Sequence, residues 1–145
     1  MAIQNRLTRI LGIERPILLA PMDIIAGGKL AAAVSHAGGL GLLGGGYGSG
    51  EWIEREWANA GNARIGCGFI AWALAERPDA LDRALAHHPA AVMLSFGDPR
   101  PFASAVKAAG ARLICGAQTS VHAATPPRRE PTSLWRKAPR EADTA

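Results

Sequence analysis

Residues 15–46, RPILLAPMDIIAGGKLAAAVSHAGGLGLLGGG, read as strand, loop, short helix and strand. Ile17 to Ala20 is a short apolar run with a proline on each side, and Pro21 has no amide to donate, so a strand should stop there. Lys29 to Ala37 is rich in alanine, sets Leu30 and Val34 four residues apart, and is followed by a glycine pair, the pattern of a helix with a glycine stop. Leu40 to Leu43 is a second apolar run between glycines. Two strands without polar alternation, joined by a helix within about 30 residues, form a βαβ unit whose strands are buried on both faces.

The pattern repeats outward from this unit. Glu51 to Asn59 reads as a helix with Trp52, Ile53 and Trp57 as its apolar stripe, and Arg64 to Phe69 as a strand. A helix over Asp79 to His87 follows Pro78, then a strand over Ala91 to Leu94, a helix over Pro101 to Ala109, and a strand opening at Leu113. Strands starting near 17, 40, 64, 91 and 113 are spaced by 22 to 27 residues, which predicts a parallel α/β sheet, either doubly wound or a (β/α) barrel. A closed barrel takes eight strands and about 250 residues. Five are offered here, with Met1 to Leu11 expected to cross the bottom as a short segment.

The bulk numbers bound the function classes. With 145 residues, 48% hydrophobic and 19% charged, the chain reads as one soluble domain with an ordinary core. The net charge of +4 is uneven: residues 1–125 carry 11 basic and 9 acidic side chains, and 126–145 carry 5 and 3. No basic stripe interleaved with aromatics points to nucleic acid. Cys67 and Cys115 sit in apolar strand-like runs without CxxC spacing, so they read as buried thiols. No signal peptide or 18-residue apolar run occurs, giving an expected cytoplasmic address and no membrane partner.

Gly39-x-Gly41-x-x-Gly44 matches a dinucleotide fingerprint in form only, because its glycines fall inside the strand run rather than in the turn before a helix. The glycines from 44 to 48 lack a following GK[ST] and make no P-loop. Bare backbone at the end of a barrel strand would instead suit a flat cofactor. Ser95 ends the fourth strand and Gln118 the fifth; each alone reads equally as turn chemistry, while a polar group at successive strand ends suits a cofactor-lined barrel mouth. His36, His87, His88 and His122 show no metal-ligand spacing and read as structural.

The order APM at 20–22, then AAAVSHAGGLGLLGGG at 31–46, resembles the opening of the nitronate monooxygenases, formerly called 2-nitropropane dioxygenases. The resemblance covers roughly residues 7–125 and implies an incomplete (β/α)8 TIM barrel of about five parallel strands with crossover helices. It also implies FMN as cofactor and a small nitronate as substrate, oxidised with dioxygen to a carbonyl compound and nitrite. Ala20, Pro21 and Met22 would then lie against the flavin. Gly68 stands where many members carry an FMN-binding asparagine, which removes one side-chain donor. The family's base is a histidine after the sixth strand in a glycine-glycine-histidine setting, and no residue here matches it. No catalytic residue is therefore assigned. A related flavin barrel, of the enoyl reductase or IMP dehydrogenase type, is the alternative, although neither cysteine lies in the glycine-rich loop that IMP dehydrogenases use.

From Pro126 the composition changes. PPRREPTSLWRKAPREADTA holds four of the ten prolines and no apolar period, so 126–145 is expected to be an irregular basic tail. Read in a shifted frame with synonymous codons chosen freely, the same stretch can encode a helix end, a strand and a glycine-rich loop ending in a histidine. The resulting expectation is a truncated, inactive fragment whose open sheet edge favours aggregation or partner rescue; a further alternative is a non-catalytic α/β module that pairs through that edge with itself or another subunit.

Overall fold

A computed structural model describes residues 3–117 and 119–120, together with a strand at 133–136. Helix α1 (Arg6–Leu11) opens the fold. Its N-terminus is closed by a capping box: the Thr8 amide donates to Asn5 Oδ1 at 2.9 Å, and the Asn5 amide donates to Thr8 Oγ1 at 3.0 Å. Gly12 ends it in the left-handed region at φ 62°. The segment expected to lie across the bottom is thus a helix. It places Leu7 and Leu11 against Leu42, Met93 and Ile114 and closes the lower end of the sheet's inner face.

The βαβ unit forms around α2 (Gly28–His36) and β1 (Leu42–Gly46). Its expected first strand, Ile17 to Ala20, is reduced to a single parallel bridge between Leu18 and Leu40. The Leu19 amide donates to the Leu40 carbonyl and the Leu40 amide to the Ile17 carbonyl, both at 3.0 Å. The next strand lies two residues later than the apolar run suggested and takes in Gly44 to Gly46, because Gly44 and Gly46 pair with Gly68 and Phe69 of the strand that follows, with a register shift at Gly45.

Helices and strands then alternate: α3 (Gly50–Ala60), β2 (Gly66–Ile70), α4 (Ala71–Glu76), α5 (Asp79–Ala86), β3 (Ala91–Ser95), α6 (Arg100–Ala108) and β4 (Arg112–Ala117). The sequence reading did not foresee α4, a two-turn helix without a capping side chain that starts directly where β2 stops. A last strand, β5 (Ser133–Arg136), pairs with β4 from inside the stretch expected to be irregular; the remainder of 126–145 lies outside the described residues. All neighbours are parallel, in the order β1-β2-β3-β4-β5.

Alternation along the strands divides the core. Leu43, Cys67, Val92, Leu94, Leu113 and Cys115 face the helices, where Ile53, Leu74, Leu81 and Val106 meet them. Leu42, Ala91, Met93 and Ile114 face the other side with Leu11, Ile13 and Leu40. Burial on both faces is why these strands carry no polar alternation. Both cysteines are buried free thiols, and burial raises each pKa above the ordinary thiol value.

Candidate functional site

The first four strands end together, and their last residues, Gly46, Ile70, Ser95 and Ala117, line one cavity of about 740 Å³. Ala20, Pro21 and Met22 form one wall, and Tyr47 and Phe96 reach it from the loops after β1 and β3. A cavity of this size, apolar with a few polar groups, is of the kind that encloses a cofactor or drug-sized ligand. It lies at the C-terminal ends of parallel strands, where chains leaving neighbouring strands diverge.

The sequence named Ala20, Pro21, Met22, Gly68, Ser95 and Gln118. The first five line this cavity, and Gln118 lies outside the described residues. Two of them are coupled by shape. A Cβ built on Gly68 would overlap Cγ of Pro21 and lie 2.5 Å from its Cβ, with Met93 Cβ at 3.4 Å. Gly68 therefore gives room to the Pro21 ring, and an asparagine there would meet that ring at once. Ser95 has a similar relation to Gly116, whose added Cβ would lie 2.7 Å from Ser95 Oγ.

The glycine run after Leu43 is not bare toward the cavity as the sequence suggested. A Cβ on Gly44 would overlap the Asp23 carbonyl oxygen, and one on Gly46 would overlap Asp23 Oδ1. One on Gly45 would run into the Phe69 ring. These three positions are filled by the chain's own residues, and only Gly46 also borders the cavity. The signal was present in the Gly44-x-Gly46 spacing, but sequence does not say which residue lies opposite.

Asp23 opens the 3-10 turn Asp23–Ile25 with φ 39°, one of three non-glycine residues at positive φ among those described. It is the one charged side chain among the described residues lining the cavity, and no described residue hydrogen-bonds or pairs with its carboxylate. The loop that carries it is held from α3. Trp52 Nε1 donates to the Gly44 carbonyl at 2.8 Å, and the Gly44 amide donates to the Ala26 carbonyl at 2.9 Å.

Helix α2 has Gly27 at its N-cap and so no capping side chain of its own. Glu56 of α3 supplies the cap: the Gly28 amide donates to Glu56 Oε2 at 2.9 Å, and Arg55 Nε lies 3.2 Å from Oε1. Glu56 is 8% exposed. Burial pushes its carboxyl upward, but the Gly28 amide, Asn59 and Arg55 together hold it below the ordinary carboxylate value. The sequence reading did not single out Glu56, whose partner, the Gly28 amide, lies 28 residues away in the chain.

Among the described residues no histidine lines the cavity. His36 ends α2, and His87 stacks on Trp57 with ring centroids 4.9 Å apart while its Nε2 lies 2.9 Å from Glu54. No group of three or more His, Cys, Asp or Glu able to hold a metal occurs among the described residues. No helix there is long and apolar enough to cross a membrane.

The sequence model of the nitronate monooxygenase family matches residues 4–88, more than half of the chain. A Staphylococcus aureus protein (strain JH9) described as "Probable nitronate monooxygenase" is 47% identical over 53 residues, covering 37% of this chain and 15% of that protein. Among solved structures, FabK from Thermotoga maritima superposes with a TM-score of 0.75 at 26% identity over 84% of this chain and 40% of that one. Nitroalkane oxidase from Streptomyces ansochromogenes gives 0.60 at 25% identity, over 81% and 44%. The chain thus spans less than half the length of these relatives, and its sheet is an incomplete α/β barrel.

Proposed function

Because this chain belongs to the nitronate monooxygenase family, we propose that its cavity is one side of an FMN site, from an enzyme that oxidises alkyl nitronates with dioxygen to carbonyl compounds and nitrite. One observation carries this reading: Ala20, Pro21 and Met22 meet the last residues of four parallel strands around a single cavity. The residues present fit a flat aromatic group. The wall offers Met22, Phe69 and Met93 for packing, with Tyr47 and Ser95 as polar side chains. Gly68 is committed to the Pro21 ring and Gly116 to the Ser95 side chain.

When bound, the flavin would supply the electron acceptor that protein side chains lack. The loop held by Trp52 and Gly44 sets the position of Met22 in the apolar wall. A neutral nitroalkane must also lose a proton to a positioned base. No residue of the sequence stands in the glycine-glycine-histidine setting of the family's base, and on that ground we assign the chain itself no turnover. We read 126–145 as the product of a shifted frame, which the nucleotide sequence beyond the Thr125 codon tests: a closed alternative frame refutes it.

Titrating the chain into FMN should quench flavin fluorescence weakly and release no nitrite from the nitronate of 2-nitropropane. Unchanged fluorescence removes the flavin reading. Nitronate-dependent nitrite release removes the inactivity. A second reading, a non-catalytic module that self-associates, is favoured by the Ile17 to Ala20 run, which is held by one bridge and leaves Ile17 54% exposed. A monodisperse colourless dimer in sedimentation would support it, and a monomer would end it.

A further inference from the structure

Asp23 is seated at a cost that its own packing does not explain. Two glycines, Gly44 and Gly46, are needed for it to approach β1, since any side chain at either position would overlap it. Its backbone lies in the left-handed region at φ 39°, where a non-glycine residue is strained. The carboxylate reached by this arrangement caps no helix and meets no cation among the described residues. It borders the cavity instead, half-buried and the one charge among the described lining residues. A carboxylate accepts hydrogen bonds and donates none, so a ligand that displaces water beside it must bring a donor.

We propose that Asp23 is a ligand-binding residue whose carboxylate accepts a hydrogen bond from a hydroxyl or N–H of the molecule occupying the cavity, so that the site selects donor-bearing ligands. The inference rests on the cavity being the flavin site, and it adds the group that reads the ligand's polar edge. A purely structural aspartate would differ in one respect: its removal would lower stability along with binding. Here the two should part, because glycine adopts φ 39° without strain.

The test compares wild type with Asp23→Gly and Asp23→Asn, using riboflavin as the probe because it carries hydroxyl and N–H donors without a phosphate. Asp23→Gly should melt no lower than wild type yet bind riboflavin about tenfold more weakly, the loss of one charge-assisted hydrogen bond. Asp23→Asn, which keeps an acceptor oxygen without the charge, should fall between them. Equal riboflavin affinity in all three chains overturns the proposal, as does a parallel fall in melting temperature and affinity. If wild type does not quench riboflavin at all, the flavin reading fails on its own. Saturation-transfer NMR with ribitol then decides: a signal lost in Asp23→Gly sustains the inference, and no Asp23-dependent signal refutes it.

Discussion

Replacing Gly68 by alanine tests the joint between β2 and the first cavity wall. The new Cβ would overlap Cγ of Pro21 and lie 2.5 Å from its Cβ, where ordinary contact begins near 3.4 Å. Pro21 must therefore retreat by about 1 Å, and its ring has no rotamer to swing away. The new methyl cannot turn the other way, because Met93 Cβ already stands at 3.4 Å. Overpacking of this kind costs about 1–3 kcal/mol. At this chain length each kcal/mol moves the melting temperature by about 3–4 °C, so a loss of about 2 kcal/mol is a fall of about 6–8 °C. Thermal unfolding by circular dichroism reads the shift, and urea unfolding with an unchanged slope shows that it is a stability effect. Pro21→Ala supplies the control by removing Cγ, the nearer of the two atoms in conflict, and by freeing the backbone φ so that the remaining Cβ can yield. In the Gly68→Ala background it should cost less than in wild type, a coupling of about 1 kcal/mol. If Gly68→Ala melts within a degree of wild type, or the two changes simply add, Pro21 does not pack on Gly68 and the described wall is wrong.

Two further expectations follow from α3. Glu56 has its carboxyl held below the ordinary value of 4.5, so it binds protons less readily folded than unfolded; the stability it contributes is complete above about pH 4.5 and is lost as pH falls through the lowered folded value. Glu56→Gln should therefore flatten the acid limb of stability against pH measured by urea unfolding, and an unchanged limb would show that Glu56 does not cap α2. Trp52→Phe removes the indole donor to the Gly44 carbonyl and should lower stability by about 1 kcal/mol with the apolar packing largely kept; an unmoved urea midpoint would deny that bond any part in holding β1.

Much of the strand and helix order was readable because parallel strands buried on both faces leave uninterrupted apolar runs between glycines and prolines. Ala91 to Leu94 became β3 with one residue added, and the helix expected over 51–59 gained one residue at each end. Ile17 to Ala20 misled for the same reason it was noticed: an apolar run states that a segment can be buried, whereas a strand also needs several successive residues paired with a neighbour, and here one bridge forms. The cavity wall was legible in part. Ala20, Pro21, Met22, Gly68 and Ser95 all sit near strand ends, which spacing can locate. Asp23 and Glu56 were not legible, since each acts through a partner far along the chain: Gly46 for one, Gly28 for the other.

The sequence by itself determined the parallel alternation, the positions of the main strands and the family, because these depend on local periodicity and on a continuous stretch of residues. The tertiary structure decided what the glycines are for. Gly44 and Gly46 make room for Asp23, Gly45 for Phe69 and Gly68 for Pro21. A missing side chain records only that space is needed, and the residue that fills the space is known once distant segments have been brought together.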